Sequence, residues 1–262
     1  MRNSPSARLL VTSRAVGALA LALAGALALC PAAASAASAR AKPPRLVYAV
    51  TFSANSALYR LSPRSHGVTL AGRTGVTLTD IAFRRRVLYA ISFTTLYRLN
   101  AANGARHQVG SLGLSTANAL ATQPRTNTLY GADQDGDFFR VNARTGHATV
   151  IGTFGHGLGS SGDLAFANGR LYATVVRPDS TRSILATVNV RTGAARTIGT
   201  TGFRTVWGLV AGTQSLYGAT DSGGFLSISA RTGRARVIWR EGLAIGGMAV
   251  PSPCPRARQT VC

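Results

Sequence analysis

From residue 46 onward the apolar residues fall in short runs: Leu46-Val47-Tyr48-Ala49-Val50, Leu88-Tyr89-Ala90, Leu129-Tyr130-Gly131, Leu171-Tyr172-Ala173 and Leu216-Tyr217-Gly218. These runs are rich in Leu, Val, Ile, Tyr, Phe and Thr and are bounded by Gly, Asn, Asp or Ser, which is the pattern of strands separated by tight turns. Nothing long repeats at helical spacing in this part of the chain.

The runs belong to a larger repeat. Each Leu-Tyr run is followed by a second one, as in Leu58-Tyr59-Arg60-Leu61, Leu96-Tyr97-Arg98-Leu99 and Phe138-Phe139-Arg140-Val141, and then by a turn such as Asn142-Ala143-Arg144-Thr145-Gly146. In that turn the Asn side chain can accept a backbone N–H two residues on, and the Gly can take a positive φ. The tyrosines at 48, 89, 130, 172 and 217 lie 41, 41, 42 and 45 residues apart, the length of a four-stranded propeller blade. An inner strand precedes each Leu-Tyr strand: Asp80–Phe83, Ala117–Ala121, Gly162–Phe166, Val206–Val210 and Ile245–Val250. The first repeat lacks its inner strand and the last inner strand lacks a repeat. The two ends complete one another, which predicts an all-β fold: a single five-bladed β-propeller of four-stranded antiparallel blades, its ring closed by the C-terminal strand so that no sheet edge stays open.

The unit Leu-Tyr-x-x, Leu-Tyr-Arg-Leu-Asn-x-x-x-Gly, Ile-Gly-x-x-Gly resembles the repeats of exported bacterial β-propeller proteins of the quinoprotein-dehydrogenase-like and YVTN-like superfamily, over Leu46 to Val250. The resemblance implies the architecture and little about activity. The WD dipeptide of WD40 repeats is missing. So is the tryptophan that follows each Gly turn in quinoprotein dehydrogenases, with only Trp239 at such a place. A pyrroloquinoline quinone enzyme is not expected, and no cofactor is.

The ends differ from the middle. Arg2, Arg8 and Arg14 precede an uncharged run from Val16 to Cys30 and a small-residue stretch with Ala34-Ser35-Ala36 and Ala37-Ser38-Ala39. A basic start, an apolar core and an Ala-x-Ala site make a secretory signal, and the run is short for a membrane span. The expected organisation is a signal peptide over 1–36 (or cleavage at Ala39), a linker over 37–45, the propeller over 46–250 and a tail over 251–262. Cys254 and Cys262 lie in that tail, and in an exported chain they are expected to form a disulfide. A secreted or extracytoplasmic monomer with no transmembrane span in the mature chain is expected.

The whole chain carries 29 Lys and Arg against 8 Asp and Glu, a net +21, which falls to +18 when Arg2, Arg8 and Arg14 leave with the signal. Strand order sorts these charges. Links between first and second strands and between third and fourth strands share one side, and there lie Arg64, Arg84, Arg85, Arg86, Arg125, Arg144, Arg170, Arg191 and Arg231. The other side, or the strand ends beside it, has Asp80, Asp133, Asp135, Asp137, Asp163, Asp179, Asp221 and Glu241, which are all the acids. Two explanations remain open: a GC-rich genome favouring Arg codons, or an anionic cell-wall polymer or glycan as partner, since Arg grips phosphate and carboxylate bidentately. Export argues against a physiological nucleic-acid partner.

Candidate chemistry is sparse. Asp133-Gln134-Asp135-Gly136-Asp137 has half the look of a calcium loop but sits where every repeat needs a hairpin turn, and Asp-Gly suits one. No metal is expected. His66, His107 and His147 sit in or beside turns where other repeats carry Arg. His156 lies in a Gly-rich inter-blade loop near Asp163, and Trp207, on an inner strand, either lines a central pocket or simply packs. Asp163, His156, Trp207, Asp133, Asp135, Asp137 and Asp221 are therefore the candidate ligand-binding residues, with no catalytic residue assigned. The first reading is a non-catalytic binding or surface-interaction module. The alternative is a propeller hydrolase or lyase with an axial-pocket site.

Overall fold

The computed structural model describes residues 42–212 and 215–251; the expected signal peptide and the Cys254–Cys262 disulfide lie outside them. Twenty strands form five sheets of four. The first sheet begins with β1 (Val47–Thr51), β2 (Ala57–Ser62) and β3 (Gly67–Arg73). The second is β4 (Asp80–Arg84), β5 (Val87–Ile91), β6 (Thr95–Leu99) and β7 (Arg106–Ser111). The third is β8 (Ala117–Thr122), β9 (Leu129–Asp133), β10 (Asp137–Val141) and β11 (Ala148–Thr153). The fourth is β12 (Gly159–Ala167), β13 (Arg170–Val176), β14 (Arg182–Val188) and β15 (Ala195–Arg204). The fifth is β16 (Val206–Ala211), β17 (Leu216–Thr220), β18 (Gly224–Ile228) and β19 (Ala235–Arg240). The last strand, β20 (Ile245–Ala249), pairs antiparallel with β1, Tyr48 opposite Ala249 and Ala49 opposite Met248. The first blade thus reads β20-β1-β2-β3, and the five-bladed propeller predicted from the repeat is the observed fold.

The core follows from how blades stack. Side chains on a strand alternate between faces, and in this ring both faces of a blade meet a neighbouring blade. Leu58 packs toward the second blade and Tyr59 toward the fifth. That is why the runs are continuously apolar. The core is five wedges, one per junction. Phe138, Phe154, Leu164 and Val175 fill the wedge between the third and fourth blades, and Val47, Leu61, Tyr217 and Phe225 the one that closes the ring.

The Ile-Gly and Asn-x-x-x-Gly elements of the repeat meet at these junctions. Each outer strand carries a bulge, and in four of them the extra residue (Ala71, Val109, Ile151 or Ile198) is followed by a glycine. A Cβ on Gly72, Gly110, Gly152 or Gly199 would collide with the carbonyl oxygen of Asn103, Thr145, Thr192 or Thr232 in the next blade's turn. The turn glycines Gly104, Gly146, Gly193 and Gly233 press back on the same four glycines. Backbone therefore packs on backbone at four junctions. The closing junction differs: Trp239 stands where the others have glycine and stacks on His66 of the first blade, with ring centroids 5.4 Å apart and planes 13° from parallel. The sequence signals this exception, because the first repeat's turn, Pro63-Arg64-Ser65-His66, lacks the Asn-x-x-x-Gly pattern.

Candidate functional site

The axis is built from five equivalent inner-strand residues: Ile81, Leu120, Leu164, Leu209 and Met248. All are buried, and the amide N–H of each points inward. Buried amides need acceptors, and two carboxyl groups supply all of them. Asp80 accepts from Ile81 (2.7 Å) and Leu120 (2.6 Å), and Asp163 accepts from Leu164 (2.6 Å), Leu209 (2.6 Å) and Met248 (3.3 Å). The two carboxyls are close enough for the charge on one to disfavour the charge on the other. Burial pushes both well above the usual carboxylate range; the neighbouring Asp163 pushes Asp80 further, and the amides only partly offset this. The pair is a hub that ties one strand of every blade.

The hub separates two axial cavities, and neither is lined by Asp80 or Asp163. One, of about 830 Å³, opens on the Arg-bearing side between Phe83, Leu120, Phe166, Leu209, Met248 and the arginines at 85 and 86. The other, of about 500 Å³, opens on the opposite side. Bulges build its floor. Asn118 is the unpaired residue of β8, Trp207 of β16 and Gly246 of β20, and Ser161 to Asp163 interrupt the pairing of β12. Bulges re-aim side chains, and Asn118, Ser161, Gly162, Trp207 and Gly246 all line this cavity. Gly162 is required there, since a Cβ would sit 2.5 Å from the Cα of Trp207. Phe52 stands edge-on to both Trp207 (centroids 5.4 Å apart) and Phe93 (6.1 Å), making an aromatic wall. Thr205 lines the rim with φ +49°, a left-handed conformation that is strained for a β-branched residue. It is held there by a hydrogen bond from its hydroxyl to Asp221.

The candidate ligand residues therefore separate. Trp207 lines the smaller cavity and Asp221 braces its rim. Asp163 is wholly buried with its oxygens taken by amides, while His156 is exposed in the link before β12 and lines neither cavity. The Asp163–His156–Trp207 constellation of the enzyme reading is not assembled. Asp133, Asp135 and Asp137 make a hairpin turn, in which one Asp133 oxygen accepts the amides of Asp135 (3.1 Å) and Asp137 (2.8 Å) and Thr116 donates to Asp135. Burial raises Asp133. Among the described residues no group of three or more His, Cys, Asp or Glu could hold a metal. Sequence reasoning missed Asp80 as the partner of Asp163, and Phe52, Phe93, Asn118, Gln134 and Arg177 as cavity residues. A signal existed for two of these groups: Asp80-Ile81-Ala82-Phe83 aligns with Asp163-Leu164-Ala165-Phe166, and Phe52 and Phe93 occupy the same place after their Leu-Tyr strands.

The arginines keep the sidedness that strand order dictates. Arg64, Arg85, Arg86, Arg125, Arg144, Arg170, Arg191 and Arg231 are exposed on the links at one end of the strands, and Arg84 is half-buried, donating to the Asn127 carbonyl oxygen at 2.7 Å. No acid among the described residues lies on those links. A second row was not foreseen: Arg60, Arg98 and Arg140 occupy one equivalent position on the third strands, all exposed near the same end. Glu241, on the link between β19 and β20, is pushed up to about 7 by burial, against the pull of nearby amides and Arg240. Its raised value means that stability is full below the ordinary glutamate range and falls as pH rises through about 7. Glu241→Gln is expected to remove that fall, so that thermal midpoints at pH 6 and pH 8.5 draw closer than in the parent; an unchanged gap counts against a buried acid.

No protein-family model matches this chain, and no curated protein matches it. Solved structures do. A chain in the crystal structure of a nidogen/laminin complex is 14% identical, with a TM-score of 0.54 over 78% of this chain and 80% of that one. A structural-genomics protein of unknown function from Bacteroides thetaiotaomicron is 19% identical, with a TM-score of 0.51 over 74% of this chain and 55% of that one. The shared property is the fold. This chain is a β-propeller.

Proposed function

We propose that the protein is an exported binding propeller whose Arg-bearing face docks on an anionic cell-wall polymer. The observation that carries this is the sidedness: the nine link arginines share one end of the strands, and all eight acids lie elsewhere. Compositional drift toward Arg would not exclude acids from one face. Surface charges within about 10 Å of each other act together at physiological salt, and the second row from Arg60, Arg98 and Arg140 thickens the same patch. Export rests on the basic, apolar and small-residue opening of the sequence. A binding role agrees with the nidogen/laminin neighbour, a structure of two proteins in complex.

The mature chain is expected to sediment with purified wall material at low salt and to lose at least about tenfold in affinity between 50 and 300 mM salt, as counterion-release binding does. Replacing Arg85, Arg144, Arg191 and Arg231 by Ser should abolish binding. The same change at Arg73, Arg177, Arg182 and Arg240 on the other side should leave it intact. Salt-insensitive binding, or equal loss in both sets, overturns the reading.

A further inference from the structure

The smaller axial cavity faces away from the Arg-bearing side and has no part in the proposed docking. We infer that it is a binding site for a carboxylate-bearing sugar of the uronic acid class. Four features converge on that chemistry. The first is an aromatic wall: Phe52, 39% exposed despite its size, with Phe93 and Trp207, all lining a space of about 500 Å³. That volume suits one sugar ring, and the C–H faces of a sugar pack on aromatic rings while its hydroxyls point elsewhere.

The second is a buried acceptor without a donor. Asn118 is 8% exposed and its side-chain N–H₂ donates to the Ser160 carbonyl oxygen at 3.0 Å, which fixes the amide's orientation. Its oxygen meets no protein donor. An unmet buried acceptor costs about 1–3 kcal/mol, and a hydroxyl-bearing ligand that draws this covered oxygen toward the cavity its residue lines relieves that cost. Thirdly, Gln134, Ser160, Ser180 and Thr181 surround the same space with groups able to donate or accept, the mixed lining a polyol requires. Fourthly, Arg177 is exposed at the rim; its backbone carbonyl accepts from Ser180 at 3.1 Å, while its guanidinium makes neither an ion pair nor a hydrogen bond to another described residue. Among the described residues it is the one charged group lining this cavity, so it selects for a single negative charge on an otherwise neutral, hydroxylated ligand. The bulges that aim Asn118 and Trp207 inward, and the glycine that lets the Trp207 backbone approach β12, are spent on this cavity alone.

The chain has only two tryptophans. Trp239 packs at the far junction against His66, so in a Trp239→Phe chain the indole emission reports Trp207. D-glucuronate added to that chain should give a saturable change in emission, with glucose binding about tenfold or more weakly. Arg177→Gln, an exposed change, should bring glucuronate down to the level of glucose, the scale of one lost charge-assisted contact. Asn118→Leu should weaken both sugars. Calorimetry on the unsubstituted mature chain gives the same ranking without relying on any variant's folding. The inference fails if glucuronate, galacturonate and N-acetylneuraminate all leave emission and heat unchanged up to tens of millimolar. It also fails if glucose binds as well as glucuronate, if Arg177→Gln changes nothing, or if the Arg85, Arg144, Arg191 and Arg231 variant is the one that loses sugar binding. Because wall binding reads only that last set, either proposal can fall alone.

Discussion

Asp163→Ala will lower the thermal midpoint of the propeller by on the order of 10 °C or more, and Asp80→Ala by less. The order follows from counting orphaned amides. Removing the Asp163 carboxyl strands the buried N–H groups of Leu164, Leu209 and Met248, whereas removing that of Asp80 strands those of Ile81 and Leu120. A stranded buried donor costs about 1–3 kcal/mol, and in a domain of this size each kcal/mol moves the midpoint by about 2–4 °C. Asn is no rescue, because its N–H₂ would face a backbone N–H. The pair also sets a pH dependence. Both acids are raised, so in the folded state they hold a proton that the unfolded chain releases. Their contribution is full below the ordinary aspartate pKa, near 3.8, and declines as pH rises through the folded values. Denaturant melts should show the parent more stable at pH 5 than at pH 8, with the gap reduced when both acids are replaced by Asn. A midpoint unmoved by Asp163→Ala would remove the hub from the account of this fold.

Gly152→Ala comes second. Its backbone lies outside the left-handed region, so only space is at issue: the added methyl meets the carbonyl of Thr192 and its carbon at 3.1 Å, backbone that cannot swing aside. The blades must part or the turn must shift, at a cost of about 2–3 kcal/mol. Gly155→Asn is the control. Gly155 has φ +76° but nothing within 4 Å of a Cβ, and Asn is the side chain that conformation strains least, so its loss of stability should be on the order of 1 kcal/mol or less, smaller than that at 152. Equal effects at 152 and 155 would mean that the junction glycines serve the turns rather than the contact between blades.

How far the sequence could be read depended on the kind of interaction. Strand number, ring closure and the sidedness of the arginines follow from periodicity and strand parity, and they needed no coordinates. The hub did not follow. Asp163 was visible as an inner-strand acid near Trp207 and His156, and suggested a ligand site; its fate was decided by amides from three blades, a long-range convergence that no local pattern encodes. The cavity was half legible. Trp207 stood out as an inner-strand residue that either lines a central pocket or packs, but Asn118 reads as an ordinary strand residue, and only the bulge in β8 turns it toward the cavity. Arg177, on the link between β13 and β14, carried no sequence signal that it reaches the cavity it lines.

The pairing of β20 with β1 joins Tyr48 to Ala249, residues from opposite extremes of the described chain. During synthesis the opening sheet is consequently the last to have all four of its strands, whatever order the others assemble in. Until Ile245 to Ala249 arrive, β1 offers a bare row of backbone donors and acceptors that any foreign strand can template upon. Long-separation pairings are slow to form, so this edge stays open to foreign strands for as long as the newborn molecule waits for β20.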